Sequence, residues 1–426
     1  MLRSVPGTFD LLPQGQPLSE PAFRAIVQAA EAVLQASGAI PVATPILEYA
    51  ELFQRGVGVT SDIVVRKEMY TLSDRGERLL ALRPEPTAAL VRAYHEHGMK
   101  VWPQPVRLYT YGPIFRAERH QRGRYRQFHQ IDYEALGLSD PLLDAEAIAL
   151  MVRIYQHLGL RQLEVRLASL GDPADRQRYN AYLRELLAPH AERLSPESQS
   201  RLELNPLRIL DSKSDTDQAL LEELSPEPLS AFLGPAAQAF QEAVERYLKA
   251  LGIPFVYDPK LVRGLDYYVR TAWEVHHQGV GAKSALGGGG RYDGLSEMLG
   301  AGPLPGVGFG IGIERLALAL SQEGWSPPAP PRPDLIVAPL DDEARLEALR
   351  LAEALRPEIR VELLYTPRAP GKALEEALKR KARFIAFLGS EERAKGELTL
   401  RDLDRGEQRS LSLSQLREHL AVTHQA

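Results

Sequence analysis

The spacing of hydrophobic positions changes several times along the chain, and each change marks an element. Phe23, Ile26, Val27, Ala30, Val33 and Leu34 recur three or four apart and Gly38 follows, which predicts a helix over 22–37. The stretch 40–48 carries two prolines and reads as a short strand and a turn. Residues 69–72 and 79–82 flank a polar turn at Gly76, a hairpin pattern. Pro84 and Pro86 open a helix over 87–97. Two long β-type runs, 105–116 and 123–134, enclose a short basic loop, 117–122, and a helix over 142–157 follows.

From about 171 to 250 the pattern is mainly helical, with breaks at Pro189, Pro196, Pro206 and Pro226. Strand patterns return at 255–257 and 265–276, then a glycine run, Gly287–Gly290, a glycine-alternating strand over 307–313 and a helix over 314–320. Residues 325–333 have linker composition. Beyond them strands (334–339, 384–388, 397–401) alternate with helices (342–355, 372–381), a separate α/β domain of about 95 residues. The expected fold is α/β: a β-rich domain in two parts, 1–170 and 251–325, interrupted by a helical insert, 171–250, and followed by the C-terminal domain, 326–426.

Composition narrows the function classes. The 426 residues include no cysteine, which excludes disulfides, thiolate metal sites and a cysteine nucleophile. The N-terminus lacks an apolar signal core and no apolar run approaches the ~20 residues of a membrane span, so a cytoplasmic protein without membrane association is expected. The net charge of −5 counts mildly against nucleic acid, but basic residues cluster locally, as arginines over 116–126 and as Lys379-Arg-Lys-Ala-Arg383. His276-His277 and His95/His97 lack metal-ligand spacing, so no protein-ligated metal is expected. Gly281-Ala-Lys-Ser lacks the Gly-Lys adjacency of a phosphate loop, and no serine nucleophile elbow occurs.

The second β-run carries the chemistry. Alternate residues of a strand share a face, so Arg124, Arg126, Phe128, Gln130, Asp132 and Glu134 form one face, opposite Tyr125, Gln127, His129, Ile131 and Tyr133. A face so polar floors a pocket or faces solvent. Arg116, ending the partner run, lies near Phe128 across the ladder. Three further blocks bear on the site: Arg263-Gly-Leu-Asp-Tyr-Tyr268, the run Gly287–Gly290 flanked by Leu286 and Arg291-Tyr-Asp, and Gly306-Val-Gly-Phe-Gly-Ile-Gly-Ile-Glu-Arg315. The glycine run suggests close approach of backbone to a ligand.

These blocks resemble the motifs of class II aminoacyl-tRNA synthetases. Pro45 in its context is similar to motif 1, the strand–basic loop–strand with Arg116 and Phe128 to motif 2, and the glycine-alternating strand with Arg315 to motif 3. Arg263-Gly-Leu-Asp-Tyr-Tyr and Arg124-Tyr-Arg-Gln-Phe-His-Gln resemble histidyl-tRNA synthetases in particular. The resemblance implies an α+β catalytic domain on an antiparallel sheet and a C-terminal anticodon-binding domain. It implies two-step attachment of L-histidine to tRNA(His) with ATP, Mg²⁺ bound through the ATP phosphates, and a homodimer built through motif 1.

The resemblance also implies residue roles. Arg263, Arg116 and Arg315 would be catalytic. Glu85, Thr87 and Gln130 would hold the α-ammonium group of histidine. Glu134 and Tyr268 would reach its imidazole, with Tyr267 beside them, and Arg116 and Arg263 would complete the histidine site. Arg116, Glu118, Arg124, Phe128 and Arg315 would hold ATP. The sequence departs from the family pattern at Pro86, usually glycine, and at His120, usually proline. A second reading is a synthetase-like regulatory subunit of ATP phosphoribosyltransferase, which binds histidine but charges nothing; a third is a class II enzyme for glycine, proline or threonine. The intact Arg116, Arg263 and Arg315 and the C-terminal domain argue against the second, and the Arg263-Gly-Leu-Asp-Tyr-Tyr block against the third.

Overall fold

The computed structural model describes residues 2–14, 17–56, 68–118, 123–261, 267–278, 285–329 and 331–424. The chain forms two compact units, Met1–Pro328 and Ala329–Ala426.

In the first unit, α1 (Glu20–Ala36) leads into β1 (Ile40–Pro41) and β2 (Leu47–Tyr49), then α2 (Ala50–Gly56), the hairpin β3 (Thr71–Ser73) and β4 (Leu79–Leu82), and α3 (Thr87–Glu96). The long pair β5 (Val106–Phe115) and β6 (Gln127–Leu136) precedes α4 (Pro141–His157) and β7 (Leu163–Ser169). Next come helices α5 (Pro173–Leu187), α6 (Pro196–Leu204), α7 (Asp215–Leu224) and α8 (Pro235–Ala250). The unit ends with β8 (Phe255–Tyr257), β9 (Val269–His277), β10 (Ala285–Arg291), α9 (Leu295–Met298), β11 (Gly306–Gly312) and α10 (Ile313–Gln322).

An eight-stranded sheet, ordered β1-β5-β6-β11-β10-β9-β7-β8, organises this unit. Its pairs are antiparallel except β1 with β5 and β7 with β8. The two faces differ because the side chains alternate. Tyr133, Ile131, Phe309, Ile311, Trp273 and Val275 point into an apolar core built with α1, α4, α8 and α10. Asp132 and Glu134 project from the other face and are buried beneath α3. Helix α1 buries Phe23, Ile26, Ala30, Val33 and Leu34, and it stops where Gly38 takes φ +81°. Asp140 caps α4 by accepting from Leu142 N at 2.8 Å.

The second unit is a five-stranded sheet ordered β13-β12-β14-β15-β16, formed by β12 (Leu335–Pro339), β13 (Val361–Leu363), β14 (Phe384–Leu388), β15 (Leu398–Asp402) and β16 (Gln408–Leu411). Strand β12 runs parallel to β13 and β14, and β15 and β16 continue antiparallel. Helices α11 (Arg345–Leu355) and α14 (Leu413–His424) cover one face, α12 (Pro370–Lys379) covers the other, and α13 (Ser390–Lys395) links β14 to β15. Strands β13 and β16 and helices α13 and α14 are absent from the sequence expectation. Each is short or strongly polar, so its periodicity carries little signal.

Candidate active site

The site lies on the polar face of the large sheet, over β6, β10 and β11. The two strands of motif 2 pair as expected: Ile114 pairs with Phe128, Phe115 with Gln127, and Arg116 N donates to Arg126 O at 2.9 Å. The Arg116 guanidinium carbon sits 5.2 Å from the centroid of the Phe128 ring, a cation–π separation. Arg116 Nε donates to Pro84 O at 3.0 Å, so the arginine bridges motif 2 and the start of α3.

One half of the site is a buried carboxylate cluster. Glu85, Asp132 and Glu134 are 3%, 5% and 2% exposed. The Glu85 carboxylate accepts from Thr87 N at 2.6 Å and Ala88 N at 3.1 Å, so it caps α3. Thr87 Oγ1 donates to Glu134 Oε1 at 2.6 Å, and the Tyr292 hydroxyl donates to Glu134 Oε2. Burial raises the Glu85 carboxyl, lifts Asp132 well above its ordinary value with help from the charges of Glu134 and Glu85, and lifts Glu134 to about 8. Gln130 Oε1 is buried with no hydrogen-bond partner among the described residues. A buried orphan acceptor beside desolvated carboxylates is a socket for a cation with N–H donors. Tyr267 and Tyr268, 3% and 7% exposed, wall this half; their rings lie 4.6 Å apart, and that of Tyr267 lies 5.6 Å from Tyr292.

The alternating glycines of β11 make room for this cluster. A Cβ at Gly308 would fall 1.7 Å from Glu134 Oε2, one at Gly310 2.6 Å from Asp132 Oδ1, and one at Gly306 2.4 Å from the Tyr292 ring. The expectation for Gly287–Gly290 needs correcting. Gly287 and Gly288 do line the cleft. However, a Cβ at Gly287 would strike Gly310 O at 2.3 Å, one at Gly289 would strike Gly308 O at 2.1 Å, and one at Gly290 would strike the Tyr268 ring at 2.5 Å. Packing within the protein, rather than ligand contact, imposes these three glycines.

The other half is an open cleft of about 200 Å³ lined by Arg116, Arg124 and Arg315, by Glu118, Glu274 and Glu314, and by Tyr125 and Phe128, among others. Arg315, on the first turn of α10, donates through Nε to Gly123 O at 3.2 Å and through Nη1 to Ala285 O at 3.1 Å. Burial and the neighbouring Arg124 and Arg116 lower its pKa, against the opposing charges of Glu118 and Glu274. Arg124 Nη1 donates to Glu118 Oε2 at 3.2 Å. Here Tyr125, rather than Arg126, lines the cleft. Strand β6 begins only at Gln127, so strict alternation fails before it, and Arg126 turns to the N-terminal segment, its N donating to Gly7 O at 2.8 Å.

The structure brings together Glu85, Thr87, Arg116, Glu118, Arg124, Phe128, Gln130, Glu134, Tyr267, Tyr268 and Arg315. Arg263 lies outside the described residues, as do His120 and Gly281-Ala-Lys-Ser. Pro86 occupies the N-cap of α3, where its missing N–H breaks no helical bond and its carbonyl accepts from Leu90 N. Sequence reasoning passed over Tyr292, which sits inside the quoted Gly-Arg-Tyr-Asp block, and Asp132, which shares the face of Glu134. It also missed Glu314, whose carboxylate accepts from His129 N at 2.9 Å and engages His129 Nδ1 at 3.0 Å while lining the cleft.

An antiparallel sheet bearing this arginine–aromatic pair, a glycine-alternating strand and an arginine on the following helix is the catalytic core of a class II aminoacyl-tRNA synthetase. A family profile described as histidyl-tRNA synthetase matches residues 7–316, and one described as anticodon binding domain matches residues 334–422. The chain is 59% identical to the histidine–tRNA ligase of Thermus thermophilus, with 98% of each chain covered, and 54% identical to that of Deinococcus radiodurans, with 97% of this chain and 98% of the relative covered. The crystal structure of apo S. aureus histidyl-tRNA synthetase superposes with a TM-score of 0.81 at 35% identity, covering 99% of this chain and all of the other. The chain belongs to the histidyl-tRNA synthetase family.

Proposed function

We propose that the chain is a histidine–tRNA ligase, activating L-histidine with ATP and transferring it to the 3′ end of tRNA(His). The observation that carries the reading is the junction at Arg116 between a buried acceptor cluster and an open cleft into which three arginines face. Glu85, Thr87 and Gln130 receive the α-ammonium group; Glu134, Tyr268 and Tyr267 receive the imidazole. Arg116, Arg124, Glu118, Phe128 and Arg315 receive ATP, with the adenine on Phe128. A histidine carboxylate oxygen attacks the α-phosphorus, the bond to the β-phosphate oxygen breaks, and pyrophosphate leaves. The terminal adenosine hydroxyl of the tRNA then attacks the carbonyl carbon of the adenylate, and AMP departs. Arg116 and Arg263 act as fixed positive charge near the α-phosphate, and Arg315 holds the γ-phosphate. Mg²⁺ carried on the ATP phosphates would neutralise part of the triphosphate charge.

The same reading assigns 1–170 and 251–325 to the catalytic domain, 171–250 to an inserted helical domain and 326–426 to anticodon binding. A homodimer is supported by half-exposed apolar side chains at Ile40, Ile46, Leu47, Tyr49, Leu72 and Tyr111, around the motif 1 strands. No helix among the described residues is long and apolar enough to cross a membrane, in keeping with a cytoplasmic enzyme.

ATP–pyrophosphate exchange, run with each of the twenty amino acids and no tRNA, tests the activity. Exchange with histidine alone is the expected result. No exchange, with histidine still raising the melting temperature, would return the regulatory-subunit reading.

A further inference from the structure

Helix α5 opens the helical insert, and its first turn is tied to the aromatic wall of the amino-acid half. Arg176 Nη1 donates to the main-chain carbonyl of Tyr268 at 2.8 Å. Two residues on, Arg270 Nε donates to Asp172 Oδ1 at 2.7 Å, and Asp172 is the N-cap of α5, in a capping box with Asp175. The Arg270 guanidinium also lies 4.8 Å from the Phe240 ring of α8. The first and last helices of the insert therefore both grip the segment that follows Tyr268.

The backbone there is held in an uncommon shape. Arg270 has φ +49°, the left-handed region that a β-carbon disfavours. Its N donates to Gly171 O and its carbonyl accepts from Leu170 N, which pins it to the turn entering the insert. Against β10, Gly290 pairs with Ala272 and Arg291 with Val269, so 270 and 271 form a bulge. Bulges re-aim neighbouring side chains. This one turns the Tyr268 ring over Gly290 and toward Tyr292, the ring that holds Glu134.

We propose that Arg176, Asp172 and Arg270 are positioning residues for amino-acid recognition, a brace through which the helical insert sets the Tyr267–Tyr268 wall. The brace rests on the reading of that pocket as the histidine site. Arg176, Asp172 and Arg270 are not among the residues that line the nucleotide cleft, so the effect of losing the brace is expected on histidine rather than on ATP.

The test is ATP–pyrophosphate exchange by Arg176→Ala, Arg176→Lys and Arg270→Gly, with histidine binding also measured by calorimetry. Glycine accepts the positive φ while losing the ion pair, so Arg270→Gly separates the brace from backbone strain. Arg176→Ala and Arg270→Gly are expected to raise KM and Kd for histidine five- to tenfold, with KM for ATP within twofold of wild type. Arg176→Lys, which keeps one donor, restores most of the affinity. An unchanged histidine KM and Kd in folded Arg176→Ala and Arg270→Gly overturns the proposal. So does a fall in kcat with both KM values unchanged, the mark of a reduced folded fraction. If wild type exchanges with a different amino acid, the histidine reading fails and the brace is judged on the KM for that amino acid; if it exchanges with none, the calorimetric Kd for histidine decides.

Discussion

On the amino-acid side of the cleft, three carboxylates lie buried, each at most a few per cent exposed, with the orphan amide oxygen of Gln130 at the border of the two halves. On the nucleotide side, Arg116, Arg124 and Arg315 converge on open space. The same sheet floors both. The difference follows the ligands: a small amino acid with an ammonium group and an imidazole must be judged in a dry site, where each unmade hydrogen bond is costly, while a triphosphate needs fixed cations and an entrance. Selectivity should therefore reside on one side and charge neutralisation on the other, and perturbations should separate along that line.

The largest break is expected at Gly308→Ala, which forces Glu134 from its place, and at Glu134→Ala, which removes the carboxylate. We expect a loss of about 10⁴-fold in kcat/KM for histidine, in line with polar sites that lose a buried partner, with ATP affinity retained. Pyrophosphate exchange at varied histidine would show it, and a change confined to ATP KM would erase the division of labour. Arg315→Ala should cost roughly 10²-fold in kcat/KM for ATP and leave the calorimetric histidine Kd intact; equal damage to both would show the halves to be one site.

A pH series sharpens the comparison. Glu134 is raised from 4.5 to about 8 by burial. Its stabilising contribution is therefore complete below pH 4.5 and is lost as pH rises towards 8, because the unfolded chain ionises while the fold resists ionisation. Glu85 and Asp132 shift in the same direction. Denaturant unfolding of the ligand-free protein should lose stability across that window, on the order of a few kcal/mol, and Glu134→Gln should flatten the slope. Stability that rises over the window would contradict the buried cluster. Phe128→Ala should raise the ATP KM about tenfold through lost stacking. Pro86→Gly should change histidine KM less than about threefold, since the N-cap has no intrahelical N–H bond to lose.

Much of this site was legible along the chain. Arg116 opposite Phe128, the polar face of β6 and Arg315 just past a bare strand follow from period-two alternation and from pairing across a short basic loop. Tyr292 could not be assigned this way. It lies 158 residues from Glu134, and only the pairing of β10, β11 and β6 brings its hydroxyl to that carboxylate. The glycine run by itself suggests room for a ligand; sheet packing instead fills the space with Trp273, Tyr268 and neighbouring carbonyls. Alternation also misassigned Arg126 and Tyr125, because the strand does not reach back that far and the N-terminal segment takes Arg126.

By itself the sequence determined the elements with strong periodicity, the residue types of the site and the resemblance to one family, because period, spacing and side-chain chemistry are local. Tertiary structure decided which carboxylates are desolvated, which glycines face side chains rather than ligand, and how the insert grips the Tyr267–Tyr268 wall. Those properties depend on which distant atoms exclude water and come within a few ångströms, and a linear pattern carries no distance beyond its own strand or helix.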